Sequence, residues 1–226
     1  MKAPHAPCQH VVWDWNGTLL DDTWLCIEIM NDLLAERNLP ALTLTRYHEV
    51  FDFPVELYYR RLGFDFTRDP FSVVGAEFIR RYEIRRAETR LHRAARSTLE
   101  HIRDHKIPQS ILSAYRHDTL EELLTHFEVR PFFAGVLGSD NVYARGKIEQ
   151  GRRWISERGV DPATVLLIGD TIHDFEVASA MRCRCLLVAD GYHPRARLEP
   201  LGAPVVSGLY EVPAWIDQAG LADQPY

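Results

Sequence analysis

The feature that most narrows the fold is a series of short apolar runs separated by stretches of helix length. His10-Val-Val-Trp-Asp14 comes first, followed by Ser110-Ile-Leu-Ser113, Gly135-Val-Leu-Gly138, Thr164-Val-Leu-Leu-Ile168 and Cys185-Leu-Leu-Val-Ala189. None alternates apolar with polar residues, so each offers apolar side chains to both faces. A strand covered by helices on both sides has this composition. Such strands alternating with helical patterns predict an α/β fold built on a doubly wound parallel sheet.

Local signals place the intervening helices. Ser97-Thr-Leu-Glu100 fits a capping box, Asp118-Thr-Leu-Glu121 is a looser version, and Ser207 is placed to cap the last helix. A helix from Lys147 to Arg158 should stop at Gly159, with Asp161-Pro162 leading into the next strand.

More than eighty residues separate the first two runs, far beyond a simple crossover of roughly 10–15 residues. Thr23 to Arg37 is amphipathic, with Leu25, Ile29, Leu33 and Leu34 on helical spacing, and Asp21 and Asp22 are expected to open that helix. Asp69-Pro70 predicts the start of a helix running from Phe71 to about His92. No segment of the stretch is rich in β-formers. The organisation expected is a core of residues 1–20 and 96–226 and an inserted, all-helical cap subdomain of residues 21–95. Arginines 80, 81, 85, 86, 90, 93 and 96 crowd the end of the insertion, but Glu77, Glu83 and Glu88 lie among them. That interleaving reads as a solvated, ion-paired helix.

Composition excludes several partners. Lys and Arg number 26 against 32 Asp and Glu, a net charge of −6, which is no footprint of a nucleic-acid-binding domain. No apolar run approaches the roughly 20 residues that cross a bilayer, and the amino-terminal segment lacks the pattern of a secretory signal. No nucleic-acid or membrane partner is expected, the location expected is cytoplasmic, and the chain should be a monomer or homodimer. Cys8, Cys26, Cys183 and Cys185 are too scattered for a disulfide scaffold. Cys183 and Cys185 read as buried small apolar residues on one face of a strand.

The strand ends carry the chemistry. In an open parallel sheet the carboxyl ends of the strands line the ligand crevice. The first run ends in Asp14, followed by Trp15, Asn16, Gly17 and Thr18; Gly17 allows a sharp turn and close backbone approach. The second ends in Ser113 and Ala114, Lys147 opens the helix after the third, and the fourth ends Gly169-Asp170, with Asp174 four residues on. Three converging carboxylates would repel without a cation, and an all-oxygen set suits Mg²⁺. Three carboxylates (−3), Mg²⁺ (+2) and Lys147 (+1) sum to zero, a neutral cradle for a phosphate dianion. Trp15 follows Asp14 and should point away from it, into packing.

This ordered set resembles the haloacid dehalogenase-like (HAD) phosphatases, whose first motif is Asp-x-Asp-Gly-Thr. A Ser or Thr closes their second strand, a Lys or Arg follows the third, and an acidic Gly-Asp-x-x-x-Asp motif ends the fourth. Here the matching positions are Asp14 to Thr18, Ser113, Lys147 and Gly169-Asp170-Thr-Ile-His-Asp174. A helical insertion directly after the first motif resembles the cap of the phosphoglycolate phosphatase-like branch, as do Gly191 after the fifth strand and a closing strand from Leu198 to Val206. The resemblance implies a HAD-like core, Mg²⁺ as cofactor and a small phosphorylated metabolite as substrate, with the cap closing to exclude water. It implies that Asp14 attacks phosphorus to form an aspartyl-phosphate. It further implies that Asp14, the Asn16 carbonyl, Asp170 and Asp174 (directly or through water) hold the metal. Gly17, Thr18, Ser113, Ala114 and Lys147 would receive the phosphoryl oxygens, and Lys147 would also steady Asp14.

Asn16 departs from that pattern. The family usually has a second Asp there, as general acid and then base, and an amide can do neither. Such a loss typically costs roughly 10² to 10⁴-fold in rate. Three readings stand open: a natural variant served by a good leaving group or by another proton carrier such as His173 or His117, an engineered replacement, or a degenerate phosphatase. The coherent strand-to-turn segment Trp-Asp-Trp-Asn-Gly-Thr favours the natural variant. Beside hydrolysis, a phosphomutase on the same core and a catalytically silent phosphate-ligand binder remain alternatives; halide release suits the carboxylates and Gly17-Thr18 poorly.

Overall fold

The structure, a computed structural model, describes residues 8–139 and 146–218. By internal contacts the chain divides into two compact units, Met1–Leu20 with Leu91–Tyr226, and Asp21–Arg90.

The larger unit is built on six parallel strands: β1 (His10–Trp13), β4 (Gln109–Arg116), β5 (Phe133–Ser139), β6 (Val165–Gly169), β7 (Arg184–Val188) and β8 (Val205–Val206). Their order across the sheet is β5-β4-β1-β6-β7-β8. β1 lies between β4 and β6, with Val12 opposite both Ser110 and Leu167. The connections run outward in opposite directions from β1, so the sheet has its switch point beside the end of that strand. A two-stranded ribbon of β2 (Leu20–Asp21) and β3 (Arg90–Leu91) marks where the chain leaves and returns.

Alternation along the strands feeds two apolar layers. Val11, Trp13, Ile111, Leu166 and Ile168 face one, shared with Leu99 and Ile102 of α5 (Ala95–Asp104), Leu120 and Leu124 of α6 (His117–His126), and Val212 and Ile216 of α10 (Val212–Gln218). Val12, Leu112, Val165 and Leu167 face the other, with Trp154 of α7 (Lys147–Arg158) and Val177 and Met181 of α8 (Ile172–Met181). Each such buried aliphatic side chain contributes about 1.5–3 kcal/mol. In the first layer Trp13 Nε1 donates to Gln109 Oε1 at 2.9 Å, and Gln109 Nε2 donates to the Leu99 carbonyl. His10 sits 2.9 Å from Ser110 Oγ and edge-on to Trp154.

The smaller unit holds α1 (Thr23–Ala35), α2 (Leu44–Val50), α3 (Val55–Arg61) and α4 (Phe71–Arg85). Tyr47, Phe51, Tyr58 and Tyr59 form its aromatic centre. Ion pairs lace its helices, Arg81 with Glu36 and Glu77, Arg85 with Glu28 and Glu88, and Arg86 with Glu83. The arginine-rich segment is thus occupied by neighbouring glutamates.

Several local expectations are corrected. α4 ends at Arg85 and passes into a 3-10 turn at Arg86–Glu88, short of His92. The return junction therefore lies at Arg90–Leu91, five residues before the expected 96. α5 begins at Ala95 behind a left-handed Ala94, and the Ser97 hydroxyl donates to the Ala94 carbonyl, so Ser97 is inside the helix and caps nothing. α6 starts at His117 with no side-chain cap, leaving Asp118 in its first turn. Asp69 pairs with Arg37 instead of capping α4. Asp22 precedes α1, but its carboxylate accepts the Tyr82 hydroxyl at 2.7 Å. Ser207 lies before a 3-10 turn at Leu209–Glu211, its amide bonded to Glu211 Oε2. Cys183 falls in the turn before β7, and Cys183 and Cys185 are half-buried against the second apolar layer, where burial pushes both thiols up. The closing strand expected over Leu198–Val206 is only Val205–Val206, because Leu198 ends the short helix α9 (Arg195–Leu198) and a 3-10 turn follows at Glu199–Leu201. Gly159 ends α7 as expected.

Candidate active site

Five polar side chains from three separated segments meet at the carboxyl ends of β1 and β6. Asp14 follows β1, its amide donating to the Ile168 carbonyl at 2.9 Å. The next turn closes when the amides of Thr18, Leu19 and Leu20 all donate to the Trp15 carbonyl. Gly17 sits there at φ +78°, and a Cβ on it would lie 2.4 Å from Asp170 Oδ2. The position thus requires glycine for both conformation and space. Thr18 is fully buried; its hydroxyl lies 2.6 Å from Asp170 Oδ1 and 3.3 Å from Asp14 Oδ2.

Lys147, at the start of α7, is 3% exposed and places Nζ 2.5 Å from Asp14 Oδ1 and 2.6 Å from Asp174 Oδ1. Asp14, Asp170 and Asp174 each offer an oxygen within 4.8 Å of the others. The carboxylates differ in what they are committed to. The Oδ2 of Asp174 accepts from the amides of Asp170 and Thr171 and from the Thr171 hydroxyl, while the Thr171 hydroxyl accepts from the Asp174 amide. This is the capping box of α8. Asp170 Oδ2 accepts the Tyr192 amide at 2.7 Å.

Charge and burial set the titration. Burial pushes Asp14 up to about 7, with Lys147 pulling it down and Asp174 pushing it further up. Burial, then the repulsion of Asp14 and Asp174, holds Asp170 well above the usual carboxylate range. Burial opposes the charge on Asp174 as well, but Lys147 and Thr171 win and hold it low. Burial likewise opposes the Lys147 ammonium, and Asp14 and Asp174 reverse that and raise it. With all three carboxylates ionised, as a bound cation would favour, the single ammonium leaves an excess of two negative charges, which suits a divalent cation with oxygen ligands.

The other expected residues lie on the neighbouring elements. Ser113 is buried near the end of β4, its Oγ accepting the Tyr115 amide at 3.1 Å. Pairing with β5 breaks register between Leu112 and Arg116, so Ser113 and Ala114 stand in an irregularity of the strand next to β1. Asn16 is half-buried in the turn after Asp14, bridged to Leu20. His117 opens α6, and His173 places Nδ1 3.1 Å from Glu176. Trp15 is fully buried among apolar residues. Thr171 and Tyr192 join the site although no family motif names them; for Thr171 the Thr171-x-x-Asp174 spacing is itself a capping signal. Gly191 fits tightly: a Cβ there would lie 2.3 Å from both Asp170 Oδ2 and the Gly17 carbonyl.

The sequence pattern of the haloacid dehalogenase-like hydrolases matches residues 11–188, spanning every residue just described except Gly191 and Tyr192. The chain belongs to this family. Among similar proteins is a phosphoglycolate phosphatase of Neisseria gonorrhoeae, 27% identical over 201 residues that cover 85% of this chain and 84% of the relative. Its counterpart from Neisseria meningitidis is 26% identical over the same length. Solved structures share the fold at lower identity. A predicted phosphatase from Clostridium acetobutylicum superposes with TM-score 0.79 at 17% identity, covering 94% of this chain and all of that one. A haloacid dehalogenase-like protein from Agrobacterium tumefaciens gives 0.77 at 19% identity, covering 93% and 98%. Family membership makes the chain a haloacid dehalogenase-like hydrolase. No helix among the described residues is long and apolar enough to cross a membrane.

Proposed function

We propose that the chain is a Mg²⁺-dependent phosphatase of a small phosphorylated metabolite, acting through a phosphoryl group carried on Asp14. The observation that carries this reading is the bond from Lys147 to Asp14 beside two further buried carboxylates. It holds Asp14 in one orientation and leaves the site two positive charges short of neutrality. The donors are all oxygens, so a hard divalent cation fits, with Asp14, Asp170 and the Asn16 carbonyl as ligands. Asp174 is saturated by the capping box and Lys147, and we assign it to positioning, with any role toward the cation passing through water.

When bound, Mg²⁺ supplies charge that offsets the phosphate and favours ionised carboxylates. Asp14 attacks phosphorus, the bond to the leaving oxygen breaks, and water later displaces the phosphoryl group from the carboxylate. Lys147, Ser113 and the Ala114 amide stabilise the equatorial oxygens as charge gathers there; the amides of Gly17 and Thr18, expected to share in this, are instead bonded to the Leu20 and Trp15 carbonyls. Thr18 and Tyr192 fix Asp170, so that its carboxylate keeps its orientation through turnover.

Asn16 occupies the position at which the family's acid–base carboxylate stands, and it supports two readings. In the first, the substrate carries a leaving group that departs without help, as an acyl or aryl phosphate does. In the second, the site binds phosphate compounds and does not turn them over. Phosphate release from a panel of alkyl, aryl and acyl phosphates, with and without Mg²⁺, separates them, with Asp14→Asn as the control. Turnover that needs Mg²⁺ and disappears in Asp14→Asn supports hydrolysis. Binding of the panel with no release in either protein supports the silent binder.

A further inference from the structure

We infer that His101, His105 and Asp217 form a second metal site, for a borderline transition ion of the Zn²⁺ class, which clasps α5 to α10. The three residues belong to the larger unit. His101 lies in the last turn of α5, His105 is its C-cap, and Asp217 lies in α10. Spacing of four places both imidazoles on one helix face, with ring centroids 4.3 Å apart. Asp217 Oδ1 is 3.0 Å from His101 Nε2 and 3.8 Å from His105 Nε2, and one donor atom from each residue lies within 4.8 Å of the others.

These separations match a coordination sphere. Zinc–nitrogen bonds are about 2.0–2.1 Å and zinc–carboxylate bonds similar, so adjacent ligands of a tetrahedral ion stand roughly 3.4 Å apart. The two separations from Asp217 Oδ1 bracket that value.

The tautomer of His105 also fits. Its Nδ1 is 2.8 Å from the His101 carbonyl oxygen, which can only accept. The proton must therefore sit on Nδ1, which leaves Nε2 of the neutral ring as a lone pair aimed toward Asp217. An outer hydrogen bond from the second ring nitrogen to a carbonyl is the usual support of a metal-bound imidazole. His101 reaches the same state when its proton moves to Nδ1. Side-chain exposures of 27%, 32% and 49% leave the cluster open to an ion from solvent and leave room for water as the fourth ligand. Two imidazoles and one carboxylate favour Zn²⁺, Ni²⁺, Co²⁺ or Cu²⁺ over Mg²⁺, so the two sites should sort ions by ligand chemistry. This inference is independent of the phosphatase reading, since it shares no residue with that site.

The test is a Zn²⁺ titration of the full chain by calorimetry in excess Mg²⁺, with thermal unfolding followed in parallel. One Zn²⁺ site and a raised unfolding midpoint are expected in wild type and in Asp170→Asn. His101→Gln and His105→Gln should each weaken that site by no less than the roughly tenfold seen on losing an outer-shell partner. Cu²⁺ electron paramagnetic resonance should show coupling to two nitrogens, reduced to one in either His variant. Zn²⁺ binding unchanged by both His variants, or abolished by Asp170→Asn alone, overturns the inference.

Discussion

Lys147 reaches Asp14 at 2.5 Å with both side chains almost fully enclosed, so neither charge has water to fall back on. Removing one partner of a buried pair leaves the other uncompensated, at a cost of roughly 3–5 kcal/mol. Lys147→Met should lose about that much stability to urea in a chelating buffer, and Mg²⁺ should restore part of it by supplying positive charge. A variant as stable as wild type without metal would mean that Asp14 and Asp174 are already neutral.

Asn16→Asp should restore a proton carrier beside the leaving group. Release of phosphate from alkyl phosphates is expected to rise by roughly 10² to 10⁴-fold, while acyl and aryl phosphates, which leave unaided, change less. Steady-state rates on one member of each class decide this. Equal or lower rates on every class would show that Asn16 is not standing in for an acid.

Gly191 touches no substrate in the scheme above, yet its missing side chain makes room for Asp170. In Gly191→Ala the new methyl would need space 2.3 Å from both Asp170 Oδ2 and the Gly17 carbonyl. Close-packed interiors yield little, so the carboxylate or its loop must shift. The Mg²⁺ concentration for half-maximal activity should rise by about tenfold or more, with the far-ultraviolet circular dichroism unchanged. An unaltered Mg²⁺ requirement would remove Asp170 from the cation site.

His10 gives a pH signature away from the active site. Burial, then the nearby Arg158, lowers its value from 6.5 to about 4. The unfolded chain therefore takes up this proton at higher pH than the folded one, and the contribution of a neutral His10 is lost as pH falls from 6.5 towards 4. The stability difference between wild type and His10→Gln should shrink across that window by up to about 3 kcal/mol, read from urea unfolding at several pH values. A difference independent of pH would show that His10 charges freely in the folded state.

Strands and motif residues were legible because both are written locally. An apolar run ending in Asp14, or Ile168-Gly169-Asp170, declares strand and crevice within a few positions. Helix ends were less legible. Ser97, Asp118 and Asp69 have capping chemistry, but their hydroxyl or carboxylate was claimed by a backbone carbonyl, a first turn or Arg37. The sequence also could not rank the carboxylates. Asp14, Asp170 and Asp174 look alike in the chain, and only their different bonds to Lys147, Thr18, Tyr192 and Thr171 distinguish them.

Trp13 and Trp15 flank Asp14 and are both fully buried. Alternation along the chain sends the two rings away from the carboxylate, yet they share its peptide segment. Any gain or loss of charge on Asp14 is therefore felt by indoles that solvent quenchers cannot reach. The chain carries its own optical probe, and stopped-flow emission with no label attached tests the proposed arrival and departure of a phosphoryl group on Asp14.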